Sequence, residues 1–184
     1  ASDVYKRQGD TDWSPDGDYS PDTQQQDIHA FVQAAGLKDL VIMGLSMGGR
    51  NAFTYAASHP DDTRALVIVD AGPENMQSGS QNIRQFVQQE DELDSVDAFV
   101  QRVLRYNPKR DPVQLRGSLA HNLKQLPNGK WTWKYDKVLR TQGQRTPQWT
   151  SEQLWEAVAK IPCPTLVLRG GDSDIFAEET MHKM

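Results

Sequence analysis

The sequence has little of what marks several protein classes. Its 184 residues include one cysteine, Cys163, which excludes an internal disulfide framework and a cysteine-built zinc site. Lys and Arg number 20 against 25 Asp and Glu, so no basic excess favours nucleic acid as a partner. The longest apolar runs, near 40–43 and 66–69, are far shorter than the roughly 20 residues of a membrane-spanning helix.

The remaining composition is typical of a globular protein. Apolar residues make up 37% of the chain and charged residues 24%, which is neither a disordered nor a fibrous composition. The mean hydropathy of −0.69 is polar for a chain with a buried sheet. We expect a small-molecule substrate, no nucleic acid and no membrane, and the scarcity of cysteine favours the cytoplasm. The sequence leaves the oligomeric state open.

The first eight residues differ from the rest of the chain. Ala1–Gln8 reads ASDVYKRQ and lacks the apolar segment of a secretory signal. It is similar to one reading frame of the transposon-end adapter used in short-read DNA library preparation. We therefore interpret 1–8 as a non-native, adapter-like tail fused to a partial gene.

Apolar patterns predict alternating helices and strands on both sides of a polar middle. Asp22 or Thr23 is predicted to cap a first helix, and a second is predicted over 47–58. Unbroken apolar runs predict strands buried on both faces; these runs are 40–43, 65–69 and 165–168. Strands that alternate with helices indicate the α/β class with a parallel sheet.

The segment between the second and third predicted strands has a different composition. It is rich in Gln, Asp and Arg, and it contains no unbroken apolar strand. Helical periodicity occurs over 82–89, 95–106 and 112–126. We predict a helical insertion, a cap, at 75–149. The core domain then comprises 9–74 and 150–184 and is incomplete at both ends.

Gly44-Leu45-Ser46-Met47-Gly48 is the motif that indicates chemistry. It has the form G-x-S-x-G and lies directly after a predicted strand and before a predicted helix, where this motif presents a nucleophilic serine on a sharp turn. The first helical N–H groups face an oxyanion formed on Ser46, and we predict the Met47 backbone N–H as one donor. The alternative is a tightly packed turn without chemistry.

Phosphate-binding motifs do not fit the same stretch. The dinucleotide pattern G-x-G-x-x-G fails at Ser46, and the P-loop pattern fails at Arg50-Asn51, where Lys and then Ser or Thr are required. We therefore predict no cofactor, and we predict no metal ion.

Four stretches of the chain resemble the α/β-hydrolase fold family, in its cap-bearing form with a serine nucleophile. They are GDTDWS at 9–14, DLVIMGLSMGG at 39–49, HPDDTRALVIVDAGPE at 59–74 and IPCPTLVLRGGDSD at 161–174. The resemblance implies a mostly parallel sheet flanked by helices, with a helical cap. It also implies a hydrolase that acts by acyl transfer on a small carboxylic ester, a lactone or a related carbonyl substrate.

The resemblance also implies a catalytic triad in the chain order Ser, acid, His. Ser46 matches the nucleophile. Asp174 matches the acid best, because the family carries it in the loop after the strand that follows the cap. Asp172 and Asp70 are alternatives, and Asp70 could instead cap the turn that follows its strand.

None of the four histidines matches the position of the family's catalytic base. They are His29, His59, His121 and His182. The family places its base after a further helix and strand, so we expect the catalytic histidine beyond Met184, and a second oxyanion donor upstream. A serine without its base is a weak nucleophile, and we predict that this 184-residue fragment is inactive.

Two further alternatives concern ligand binding. Trp131, Trp133 and Tyr135 could line an apolar substrate pocket, together with Trp149, or they could hold a small cap together. The chain could also belong to a non-catalytic protein that binds a small molecule on the same fold.

Overall fold

The computed structural model describes residues 11–142 and 148–184, so the adapter-like tail lies outside the described residues. The described chain divides into two compact units. We call residues 20–83 and 148–184 the sheet unit, and 11–19 and 84–142 the insertion unit. The division falls between Ile83 and Arg84 rather than at the predicted boundary at 75, and 11–19 group with the insertion unit.

Helices and strands alternate through the first part of the chain, and short elements fill the middle. In chain order they are α1 (Pro21–Ala34), β1 (Leu40–Leu45), α2 (Met47–Ser58), β2 (Thr63–Val69), α3 (Gln77–Gln88), β3 (Glu92–Leu93), α4 (Val96–Tyr106), α5 (Pro112–Asn122), β4 (Leu123–Gln125), β5 (Trp131–Trp133), α6 (Leu139–Gln142), α7 (Ser151–Ala159), β6 (Thr165–Leu168) and α8 (Glu178–Lys183). A 3₁₀ turn at Pro60–Asp62 precedes β2.

The three strands of the sheet unit form a parallel sheet in the order β1-β2-β6. β2 lies in the centre, with Val41 aligned to Ala65 on one side and Leu66 aligned to Thr165 on the other. A parallel pair needs a crossover connection, and α2 supplies the one between β1 and β2. The predicted α/β class with a parallel sheet is confirmed.

One face of this sheet is covered by the core of the sheet unit. Phe53 of α2, Leu66 and Ile68 of β2, and Leu154 of α7 are all buried there. The prediction of strands buried on both faces is wrong for β1 and β6 within the described residues, since Met43 is 73% exposed and Leu166 is 54% exposed. Side chains alternate along a strand, and the described helices pack against the other face, so Val41, Met43 and Leu45 are left exposed.

Polar side chains cap the first turns of helices α1 and α7. α1 begins at Pro21, and Ser20 is its N-cap: the Ser20 side chain accepts a hydrogen bond from the Thr23 N–H. The prediction of Asp22 or Thr23 was wrong because proline favours the first helical position and places the cap before it. α7 has a complete capping box between Thr150 and Gln153.

The insertion unit has its own core and a second small sheet. β3, β5 and β4 pair antiparallel in that order, beside a cluster of buried side chains centred on Phe99. The predicted helix over 112–126 ends earlier, at Asn122, because Leu123–Gln125 pair with Trp131–Trp133 as strand β4. The insertion is therefore helical as predicted, and it also contains three short strands among its described residues.

None of the helices in the described ranges is long and apolar enough to cross a membrane.

Candidate active site

Ser46 stands at the junction of β1 and α2, with a backbone conformation that few residues adopt. Its φ is 53°, in a region that is sparsely populated for residues other than glycine and concentrated at functional sites. The Ser46 N–H donates to the Val69 carbonyl at 2.9 Å, which fixes the turn to the carboxyl end of β2. The side chain is exposed at the start of the helix.

Two glycines make this turn possible because other chain segments approach them closely. A Cβ on Gly44 would lie 2.1 Å from the Gly48 carbonyl oxygen, and one on Gly49 would lie 2.7 Å from the Ala71 Cβ. In known proteins a Cβ atom essentially never lies within 3.0 Å of a heavy atom outside its own residue and its two chain neighbours. The motif predicts small residues at Gly44 and Gly48, because neighbouring backbone crowds the turn, and the contact at Gly44 agrees with this. The constraint at Gly49 depends on β2 and was missed.

A pocket opens beside the serine, within the sheet unit. Its lining combines polar and apolar side chains: Pro21, Gln24, Ser46, Met47, Arg50, Asn51, Asp70, Ala71, Asn75, Ile83, Gln148, Trp149, Leu154 and Ile175. The structure thus brings four of the predicted site residues together, namely Ser46, Met47, Asp70 and Trp149. A mixed apolar and polar concavity around a candidate nucleophile is the usual form of a small-molecule site.

Asp70 connects the end of β2 to the loop after β6. It has a φ of 51°, and its two carboxylate oxygens accept from the Gly170 N–H at 3.2 Å and the Ser173 hydroxyl at 3.0 Å. The Ser173 oxygen in turn accepts from the N–H groups of Ile175 and Phe176. Asp70 therefore holds the loop that carries the other two acid candidates.

Asp174 lies in that loop and is held mainly through its backbone. Its carbonyl oxygen accepts from the Gly79 N–H at 3.1 Å, and its Oδ2 accepts from the Asn82 side-chain amide at 3.0 Å. Its neighbour Ile175 lines the pocket, whereas Asp174 and Asp172 are not among the lining residues. Their assignment as the acid stays a prediction.

None of the described histidines is among the residues that line the pocket beside Ser46. His59 stacks between His29 and Tyr55, with ring centroids 4.2 and 4.4 Å away. His182 lies 3.6 Å from the Glu178 carboxylate on α8, and His121 lies near the end of α5 in the insertion unit. The expectation that the base lies outside this chain stays a prediction.

The aromatic residues of the insertion unit pack within its small core. The Trp133 ring lies 5.1 Å from Phe99 and 5.9 Å from Tyr135, and burial raises the pKa of the Tyr135 hydroxyl. Trp131 and Trp133 both pack against the Phe99 cluster. These contacts favour the interpretation that the aromatics hold the insertion together, and their role in substrate binding stays a prediction.

Several pocket residues were not singled out from the sequence as site residues. Arg50 follows Ser46, the N-cap of α2, by four positions, which is about one helical turn, and this spacing was the signal available for it. Asn75 and Gln148 come from segments that only the tertiary structure brings to the pocket. Within the described ranges, no group of three or more His, Cys, Asp or Glu side chains could hold a metal ion.

The sequence was also compared with known proteins. A model of the α/β hydrolase fold family matches residues 2–184. The chain belongs to this family. It is similar to an esterase of Mycobacterium tuberculosis, Rv0045c, with 29% identity over 93% of this chain and 57% of the relative. It is also similar to the 2-hydroxy-6-oxo-6-(2'-aminophenyl)hexa-2,4-dienoic acid hydrolase of Metapseudomonas resinovorans, with 25% identity over 92% of this chain and 56% of the relative.

Solved structures agree with the family assignment. An α/β hydrolase from Novosphingobium aromaticivorans superposes with a TM-score of 0.78 at 28% identity, covering 96% of this chain and 65% of the other. The crystal structure of Rv0045c gives a TM-score of 0.71 at 30% identity, covering 95% and 58%. This chain therefore spans a little over half the length of the curated relatives it matches.

Proposed function

We propose that this chain carries the nucleophile of a serine hydrolase that cleaves a small carboxylic ester, a lactone or a related carbonyl substrate by acyl transfer. The observation that carries this proposal is Ser46, held at a φ of 53° between β1 and α2 and lining a pocket. This is the geometry of a nucleophile elbow. The names of two relatives, an esterase and a hydrolase of a dienoic acid, support hydrolysis at a carbonyl group.

The proposed reaction begins at the Ser46 oxygen. As a base takes the hydroxyl proton, Oγ bonds to the substrate carbonyl carbon, and the negative charge moves to the carbonyl oxygen. The Met47 backbone N–H, at the first position of α2, is proposed as one donor to that oxyanion. The carbonyl then re-forms as the bond from its carbon to the alcohol oxygen breaks, and the base gives its proton to that oxygen. Water attacks the acyl-serine in the same way, with the base taking a proton from water and returning it to the Ser46 Oγ as the acid is released.

We propose Asp174 as the acid that orients the base, with Asp172 and Asp70 as alternatives. The hydrogen bonds support this order, because both Asp70 oxygens already accept donors from the 170–173 loop. Among the described residues, the Asp174 carboxylate accepts one hydrogen bond, from the Asn82 side-chain amide to Oδ2, which leaves acceptor positions for an imidazole. The base itself is proposed to be a histidine outside this chain.

The experiment uses the gene extended until an additional histidine-bearing segment is included, alongside the 184-residue chain. Hydrolysis of 4-nitrophenyl esters of graded acyl length is followed for each protein and for its Ser46→Ala variant. We expect activity in the extended protein, a loss of about 10⁴-fold or more in kcat on Ser46→Ala, and no turnover by the shorter chain. Ser58→Ala, at the exposed end of the same helix, is the matched control and should keep full activity.

The acid is identified in the same assay. Asp174→Asn should lower kcat by about 10³- to 10⁴-fold with little effect on the melting temperature, whereas Asp70→Asn should mainly lower stability. The reverse result would assign the acid to Asp70. Turnover by the 184-residue chain that disappears in Ser46→Ala would contradict the external base, and an inactive extended protein that still binds ligands would favour the non-catalytic alternative.

A further inference from the structure

Arg50 shares the pocket with the nucleophile. It lies four residues after Ser46 on α2, and its backbone N–H donates to the Ser46 carbonyl at 3.2 Å. One helical turn therefore separates the two residues, and both line the same pocket. No other arginine or lysine is among the described residues that line it.

The guanidinium is held in place by two neutral acceptors. Nε donates to the Gly72 carbonyl at 3.0 Å, and Nη2 donates to the Asn75 side-chain oxygen at 2.8 Å. A guanidinium has five N–H donors in a planar fork. Two of them are used here, and no other acceptor within the described ranges bonds to the remaining three.

The charge of Arg50 has no acidic partner among the described residues. Burial lowers the pKa of the guanidinium through desolvation alone, but an arginine stays charged at any physiological pH. The carboxylate that shares the pocket, Asp70, accepts instead from the loop after β6. A partly desolvated cation without a counterion is costly, so buried charges are nearly always paired.

Three other arginines, Arg116, Arg140 and Arg169, have other arrangements. Arg116 and Arg140 each bond to a carboxylate at 2.8 Å. Arg169 donates to four backbone carbonyls of its own loop, those of Gly170, Gly171, Ser173 and Phe176. Arg50 is different because it is fixed in orientation by neutral groups and keeps donors in reserve beside a candidate nucleophile.

We propose that Arg50 binds a carboxylate of the substrate, so that the pocket selects monoesters of short dicarboxylic acids over neutral esters. The planar fork of arginine matches a carboxylate geometrically, and the Gly72 and Asn75 contacts keep the fork aimed in advance. This substrate class deepens the proposed serine hydrolase function and rests on it.

Binding to the Ser46→Ala form of the 184-residue chain tests the proposal without any turnover. Monomethyl succinate and dimethyl succinate form a matched pair that differs in one negative charge, and calorimetry measures both dissociation constants. We expect the monoester to bind at least tenfold more tightly. Arg50→Gln should reduce this ratio to about one, whereas Arg64→Gln, at an exposed position of β2, should leave it unchanged.

A second measurement observes Arg50 itself in the Ser46→Ala protein, so its result does not depend on whether the Arg50→Gln variant folds. The ¹⁵N resonance of Arg50 Nε in Ser46→Ala should shift on addition of monomethyl succinate and not on addition of dimethyl succinate. Equal binding of the two esters, no binding of either, or a preference that survives Arg50→Gln would overturn the proposal. A different result would separate the two proposals. If the preference for monomethyl succinate depends on Arg50 but the extended protein has no esterase activity, the hydrolase function is rejected and the anion site is retained.

Discussion

The two compact units of this chain are stabilised in different ways. The sheet unit has an apolar core of Phe53, Leu66 and Ile68 and backbone segments that approach one another at Gly44. The insertion unit combines a smaller apolar cluster around Phe99 with ion pairs such as Asp91 with Arg140. The comparison teaches that the turn at Ser46 in the sheet unit is specified by sterics in a short motif, whereas the short strands of the insertion unit exist only through their pairing with one another.

The largest expected effect tests whether the two cores are independent. Phe53 and Phe99 are both fully buried, and their clusters share no residue. Phe53→Ala and Phe99→Ala should each cost about 3–5 kcal/mol of unfolding free energy, through lost burial and the cavity left behind. Hydrogen exchange should then show lost protection in β1, β2 and α2 for Phe53→Ala, and in α4 and α5 for Phe99→Ala. Lost protection throughout the chain in both variants would show that the units unfold together.

The next effect contrasts two glycines, one in each unit. Gly44→Ala should destabilise the protein by about 3 kcal/mol, because its Cβ would collide with the backbone of Gly48 and Gly49. Gly117→Ala, at an exposed position of α5 with nothing within 4 Å of the new Cβ, should stabilise it by about 0.5–1 kcal/mol. Urea denaturation measures both changes, and a Gly44→Ala variant as stable as the parent would refute the steric account of the elbow.

The smallest effect concerns the ion pairs of the insertion unit. Burial of Asp91 acts to raise its pKa. The hydrogen bond and charge of Arg140 and the charge of Lys137 together lower it by more than burial raises it, so the pKa lies below the ordinary 3.8. A carboxylate with a lowered folded-state pKa contributes its stability above the unfolded pKa and loses it as the pH falls through the folded one. Asp91→Asn should therefore cost about 1 kcal/mol at pH 7, and the difference from the parent should vanish in acid.

Asp97 provides the matched control for this titration. Its ion pair with Arg116 has the same 2.8 Å separation, but the Asp97 side chain is 67% exposed against 18% for Asp91. Solvent screens exposed pairs, so Asp97→Asn should change the unfolding free energy much less. Thermal unfolding between pH 2 and pH 7 measures both variants, and equal effects would contradict the role assigned to burial.

Local patterns predicted much of the sheet unit. The helix over 47–58 and the strand over 165–168 have the bounds that the sequence indicated. These elements depend on apolar periodicity and caps, which are properties of neighbouring residues. The bounds and pairing of the strands in the insertion were not predicted, because β3, β4 and β5 are two or three residues long and are defined by their pairing.

The sequence by itself determined the family, the parallel sheet and the position of Ser46, because a G-x-S-x-G turn between an apolar strand and a helix leaves few other conformations. Only the tertiary structure decided which face of β1 is covered, that Asp70 holds the loop after β6, and that Arg50 is fixed by Gly72 and Asn75. These features join residues 22 to 103 positions apart. A local pattern carries no information about such contacts, because they form only when the sheet brings the strand ends together.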